Sequence, residues 1–280
     1  MSYKTILVHL DEAPHLDARI EFAAQLALAN EAHLIGSATT GVSRYFYESL
    51  ASGVVDPGIA PYLAQLRQQA EQRIAHFEQL VKRIGVPSFE TRLADDEAEN
   101  SIATQARYCD LVVVGQYDPD GVVSSVYADL PEHIAVHGGC PVLILPHTVR
   151  TPPAPPRQVL IAWNGAPEAL RAVRDALPLL RAARVVDIAV FNADARPDVH
   201  GQEPGADLAL FLARHQVKAN VMQEQIEIDF GAALLSLAAD RGSDLLVMGC
   251  YGHSRMRETL LGGVSRTILE SMTLPVLMTH

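Results

Sequence analysis

The chain has 280 residues, a formal net charge of −11 at neutral pH, 49% apolar residues and 20% charged ones. That is the make-up of a globular chain and not of a disordered one, and its length suggests two domains at about 150 residues each. The negative charge argues against nucleic acid and anionic lipid as whole-surface partners, and leaves small anions to local cationic loops.

The first element is KTILVHLDEA (4–13), an apolar run that ends in the acidic pair Asp11–Glu12. It lacks the cationic start and long apolar stretch of a signal peptide. No run in the chain approaches the roughly 20 apolar residues that span a bilayer. The expectation is a cytoplasmic protein with no membrane partner. Residues 41–60 carry three consecutive aromatics, Tyr45, Phe46 and Tyr47, which read either as a lid over a pocket or as a docking surface. Asp95, Asp96, Glu97 and Glu99 precede a predicted helix, where acids suit the positive end of the helix dipole. ARYCDLVVVG (106–115) is a buried strand by its unbroken apolar run. His133 and His137 share a helix face, but no third ligand is evident, so the expectation is a plain helical pair and no metal site. CPVLILP (140–146) is a further strand. TVRTPPAPPR (148–157), with four prolines, can continue neither a helix nor a central strand and reads as an extended linker.

After the linker the apolar runs are Val159–Trp163, Val185–Phe191, Asn220–Gln225, Leu245–Met248 and Val276–Met278. Between them, Leu170, Val173, Leu177 and Leu180 lie at helical spacing over 167–182. Leu234, Leu237 and Ala238 do the same over 230–241, and Leu261, Val264, Ile268 and Met272 mark a last helix. Alternating strands and helices imply a parallel sheet with helices on both faces. Cys109, Cys140 and Cys250 form no CxxC or metal spacing, so buried reduced thiols are expected.

The chain repeats itself. ARYCDLVVVG matches DRGSDLLVMG (240–249), and Asp110 and Asp244 lie 134 residues apart, as do Pro141 and Pro275. KTILVHLDEA resembles RQVLIAWNGA (157–166), with Asp11 and Asn164 separated by 153. The offset falls by 19 along the chain, which places extra residues in the first copy, at 41–60. The reading is two copies of five parallel strands, over 1–147 and 158–280, joined by the linker at 148–157.

The second copy carries a glycine-rich loop after its fourth strand: Gly249, Gly252, Gly262 and Gly263, with His253, Arg255, Arg257 and Arg266 close by. Glycines allow close backbone approach, and free N–H groups at a helix start attract phosphate. There is no GxxxxGK[ST] and no GxSxG, so P-loop and α/β-hydrolase chemistry lack their signatures.

The stretch LLVMGCYGHSRMRETLLGGVSRTILESMTLPVLM resembles the ending of a universal stress protein domain, with Gly249, Gly252 and Gly262 at the family spacing. The strand starts, the Asp-Leu-(Leu/Val)-Val runs and the terminal Pro-Val-Leu resemble the family in both copies. The resemblance implies Rossmann-like, adenine nucleotide alpha hydrolase-like open sheets of order 3-2-1-4-5. It implies ATP or AMP, with Mg²⁺ accompanying ATP, held in a stress-response role without a catalytic residue, and at most slow hydrolysis. Carried over, the site residues are Asn164, Phe191, Met248, Gly249, Gly252, His253, Arg255, Gly262, Gly263, Val264 and Ser265. Asn164 stands where the family has Asp, and Gly263 where it has Ser or Thr.

In the first copy Asp11 is kept, but Gly115 is followed by Gln116, Tyr117 and Asp118, and the later motif position reads Ala128–Asp129. Asp118, Asp120 and Asp129 put negative charge where phosphates belong, and Asp129 is expected to cap the helix itself. This copy is expected not to bind nucleotide in the usual way. The family also implies an intrachain pseudo-dimer of the two copies, and a homodimer is a further option. The alternatives are a nucleotide-free scaffold, and a pocket for another small or apolar anion lined by Trp163, Met248 and Tyr251.

Overall fold

The computed structural model describes residues 2–53, 57–119, 129–149, 151–195, 203–250 and 263–280. They form two compact units: 3–140 with 149–153, and 141–148 with 154–280 and Ser2.

In the N-terminal unit, β1 (Thr5–His9), β2 (His33–Thr39), β3 (Phe89–Ala94) and β4 (Leu111–Gly115) run parallel in the order β3-β2-β1-β4. β1 and β4 are apolar and buried almost throughout, as central parallel strands are. The helices are α1 (Leu16–Asn30), α2 (Arg44–Ala51), α3 (Ala60–Ile84), α4 (Ala98–Ala106) and α5 (Leu130–His137). α3 buries a single stripe, Leu63, Ala70, Phe77, Leu80 and Val81. Gly36 on β2 admits the Phe77 ring, which a Cβ there would meet at 2.6 Å.

In the C-terminal unit, β6 (Gln158–Ala162), β7 (Val185–Phe191), β8 (Ala219–Glu224), β9 (Leu245–Gly249) and β10 (Val276–Thr279) run parallel in the order β8-β7-β6-β9-β10. This is the expected 3-2-1-4-5 arrangement. β5 (Val142–Leu145), which closes the first copy in sequence, lies in this unit and pairs with β10 antiparallel, Leu143 opposite Leu277. The helices are α6 (Pro167–Asp175), α7 (Leu177–Ala182), α8 (Ala206–Arg214), α9 (Phe230–Arg241) and α10 (Val264–Ser271).

The repeated Asp has the same task in both copies. Asp110 Oδ2 accepts the backbone N–H groups of Lys4 and Thr5 at 2.6 and 2.9 Å. Asp244 accepts those of Arg157 and Gln158, the latter at 2.9 Å. Each carboxylate thus ties the start of the central strand to the strand beside it.

Two expectations need correction. The helical stretch over 167–182 is broken at Ala176 into α6 and α7. Pro178 has no N–H to donate, and its ring crowds the carbonyl four residues earlier. The extra length of the first copy is not confined to 41–60. That segment holds α2 and a 3₁₀ turn at Pro57–Ile59, but the following α3 has 25 residues against 9 in α8. The described residues of the linker carry neither helix nor strand, and no helix among the described residues is long and apolar enough to cross a membrane.

Candidate functional site

In the C-terminal unit the chain leaves β6 for β7 on one side and returns as β9 on the other. Open α/β sheets bind ligands at such a switch, beyond the carboxyl ends of the strands. A cavity of about 160 Å³ lies there. Its floor is the strand ends: Ala162, Trp163 and Asn164 after β6, Ala189 and Phe191 on β7, Met248 and Gly249 on β9. Its walls are the helix starts: Ala166, Glu168 and Ala169 at α6, Phe230 and Leu234 on α9, Val264 and Ser265 at α10.

Local rules explain why these helices begin where they do. Pro167 occupies the first turn of α6, where a missing N–H costs nothing. Asp229 caps α9, its Oδ1 accepting the Ala232 N–H at 3.0 Å. Gly249 ends β9 against the start of α6, and a Cβ there would lie 2.5 Å from Ala169 N and 2.6 Å from the Glu168 carbonyl carbon. Gly263 is the N-cap of α10 and gives no side-chain cap bond, and the N–H groups of a helix start suit an anion.

Six of the eleven residues read from sequence meet in this one cavity: Asn164, Phe191, Met248, Gly249, Val264 and Ser265. Gly263 sits beside it as the cap of α10. Gly252, His253, Arg255 and Gly262 lie outside the described residues, as do Tyr251 and Arg257. Arg266, counted above with the cations of the loop, donates from Nε to Glu270 Oε1 at 2.7 Å on an exposed face. The sequence reading missed Glu168, Phe230 and the small residues Ala162, Ala166, Ala169 and Ala189. The alanines could have been found by register, since Ala162 lies beside Ala189. Phe230 had one sign, a large aromatic at the very start of a helix.

The lining is mostly apolar, with four polar contributors. Asn164 Oδ1 accepts the Ala166 N–H at 3.0 Å, so Asn164 offers a ligand chiefly its amide donors, where Asp would offer an acceptor. Ser265 is buried at the start of α10. The Gly249 backbone closes the strand end. Glu168 carries a buried Oε2 with no hydrogen-bond partner among the described residues. The rings of Phe191 and Phe230 stand 6.3 Å apart at 57°.

At the corresponding strand ends of the N-terminal unit stands an ion pair. Arg19, 2% exposed, pairs with Asp11 through Nη2 and Oδ1. A Cβ on Gly115 would run into Arg19 Nη1. His9 Nδ1 lies 3.8 Å from Asp11 Oδ2. Arg73 donates to the carbonyls of Leu10 and Thr39 at 3.1 and 2.9 Å, and to Glu12. Burial, outweighing Asp11, pushes His9 down to about 4 and keeps it neutral. Burial raises Asp11, but Arg19, His9 and the Ala13 N–H together hold it below the usual carboxylate range. Asp129 is the N-cap of α5 but makes no side-chain cap bond, contrary to expectation. The Arg19 guanidinium lies against Gly115 and pairs with Asp11. Asp120 lies outside the described residues.

The other clusters have structural tasks. Asp96 accepts from Arg44 and from the Glu97 N–H, and Asp95 pairs with Arg67, so the acidic run ties α2 and α3 to the start of α4. The rings of His133 and His137 lie 4.5 Å apart, and burial and the His137 charge lower His133. No group of three metal-ligating side chains occurs among the described residues. Burial pushes the Cys109 thiol up to about 11, away from reactivity. Tyr45 is 77% exposed and Phe46 is exposed beside it.

Three comparisons with known proteins bear on identity. The universal stress protein family model matches twice, over residues 2–146 and 156–280. The comparison with curated proteins returns no significant match. Among solved structures, a universal stress protein from Archaeoglobus fulgidus DSM 4304 is similar at 15% identity and a TM-score of 0.72, over 98% of this chain and 97% of that one. A functionally unknown protein from Pseudomonas aeruginosa PAO1 is similar at 15% identity and a TM-score of 0.59, over 99% and 92%. At such identities structural likeness speaks for the fold, while the family match covers nearly the whole sequence. The chain belongs to the universal stress protein family and carries two of its domains in tandem.

Proposed function

We propose that the second copy binds an adenine nucleotide, ATP or AMP, in a regulatory role without catalysis, and that the first copy binds none. One observation carries this reading: the cavity at the switch point of the C-terminal unit, where Asn164, Phe191, Met248, Gly249, Val264 and Ser265 converge. Phe191 supplies an apolar wall for the base, and the Asn164 amide is within the same lining for the ribose. The N–H groups at the start of α10 and the Ser265 hydroxyl suit a phosphate. With ATP, Mg²⁺ would be held through the phosphates, since the described residues offer no cluster of metal ligands. The described lining has one acid, Glu168, and no nucleophile paired with a base, which favours retention of the nucleotide over turnover. In the first copy Arg19 and Asp11 satisfy one another in the space a ligand would need.

The test uses a built-in reporter. Trp163 is the one tryptophan of the chain and lines the cavity. Titration with ATP, ADP and AMP should change its fluorescence saturably, with one equivalent per chain by equilibrium dialysis. Mass spectrometry of the denatured protein should release an adenine nucleotide at no more than that ratio. No release and no binding, with and without Mg²⁺, would overturn the reading and leave a nucleotide-free scaffold. Two equivalents per chain would overturn the assignment of an inactive first copy.

A further inference from the structure

We infer that Phe230 is a ligand-contacting residue of this cavity, forming with Phe191 an aromatic corner that selects ligands carrying a flat ring. This rests on the nucleotide reading and deepens it by naming what recognises the base.

Phe230 is the first residue of α9 and is 41% exposed, although it lines the cavity. A phenylalanine so open contributes little to a core, since stabilisation by burial scales with the apolar area removed from water. Its neighbours hold it in place nonetheless. Asp229 fixes the start of the helix through the Ala232 N–H. Gly231 lies so close to α10 that a Cβ would stand 2.7 Å from Thr267 Cβ. The ring is therefore presented from a backbone clamped on both sides, and little ordering remains to be done when a ligand arrives.

The geometry of the two rings limits what fits. At 57° and 6.3 Å they are neither stacked nor spaced to sandwich a third ring. They make a corner. A heteroaromatic ring laid on one face meets the edge of the other, the arrangement aromatic quadrupoles favour. The N-terminal unit lacks the device: the first residue of its α4 is Ala98.

The experiment is calorimetric titration of wild type, Phe230→Ala, Phe230→Leu and Phe230→Trp with adenosine, AMP and ATP. Stacking on a base is commonly worth enough that its removal weakens binding about tenfold. Phe230→Ala should lose that factor alike for all three ligands, because the contact is to the base and not to the phosphates. Phe230→Leu, apolar but without a ring, should lose most of it. Phe230→Trp should keep wild-type affinity. The melting temperatures should agree within a degree or two, as befits an exposed side chain. Wild type that binds while Phe230→Ala binds equally well overturns the inference alone, as does a loss confined to ATP. Wild type that binds none of the three overturns the nucleotide reading and the inference together.

Discussion

At the carboxyl end of β1 the chain carries His9, Asp11 and Arg19; at the matching places after β6 it carries Ala162, Asn164 and Ala172. Strand register aligns the two sets, since His9 lies beside Ser37 as Ala162 lies beside Ala189. Two steps further along the second strand, Thr39 faces Phe191 in the comparison. One copy sets a buried guanidinium and a half-buried carboxylate at its strand ends. The other keeps small and aromatic residues there and leaves a cavity. Asp11 and Asn164 even make the same local bond, to the N–H two residues on, at 3.0 Å in each case. The difference lies in the partner: Arg19 takes up Asp11, and nothing of that size stands at Ala172. A residue shared in sequence therefore need not meet the same surroundings in the two copies.

The largest test of this contrast is Arg19→Ala. It leaves Asp11, half-buried, without its counter-charge, and breaking such a pair costs up to about 3–5 kcal/mol. Chemical denaturation should show the loss in the N-terminal unit. The double change with Asp11→Asn, which copies the second site, should recover much of it. If the single and double variants are equally stable, the pair is not what holds the first site closed.

Acid should act on the same place with a slightly smaller effect. His9 has its ordinary value of 6.5 in the unfolded chain and about 4 in the folded one. A group whose pKa is lowered by folding stabilises the fold above its unfolded value and ceases to do so as pH falls through the folded one. The contribution is about 3 kcal/mol, complete above pH 6.5 and lost by about pH 4. Asp11, also lowered, extends the loss further into acid. His9→Gln should flatten the stability profile between those pH values. An unchanged profile would mean that His9 takes up its proton without unfolding anything.

The smallest test compares helix starts. Asp229 caps α9 through its side chain, whereas Glu97 at the matching start of α4 makes no side-chain cap bond. Asp229→Ala should cost about 1 kcal/mol by thermal melting, and Glu97→Ala should be close to neutral. Equal losses would put the difference between the two starts elsewhere.

Most of the framework was legible in the sequence because it rests on short-range rules. Unbroken apolar runs such as LVVVG and LLVMG gave the central strands, and the span 230–241 matched α9 residue for residue. The 3-2-1-4-5 order came from family resemblance and not from these patterns. The helix break at Ala176 is written in Pro178, which outweighs the continuous apolar spacing on either side of it. The cavity was half legible. Asn164 follows the end of β6, Met248 and Gly249 close β9, and all three could be placed by pattern. Phe230 is brought in by a helix from another part of the chain, and a large aromatic at the start of that helix is its one local sign. A cap by Asp129 was expected in the first copy and is not made, while Arg19, which reads as an ordinary helix position, is buried against Asp11.

The carboxylates of Asp110 and Asp244 have a consequence for the making of the protein. Asp110 holds backbone groups 105 and 106 residues upstream, and Asp244 holds groups 86 and 87 residues upstream. Each central strand therefore waits for a partner that leaves the ribosome long after it. Contacts at such separations form late and slowly. Until then β1 and β6 each have an apolar edge open on the side that β4 or β9 will cover. A nascent chain of this tandem passes through that exposed state twice, once for each copy.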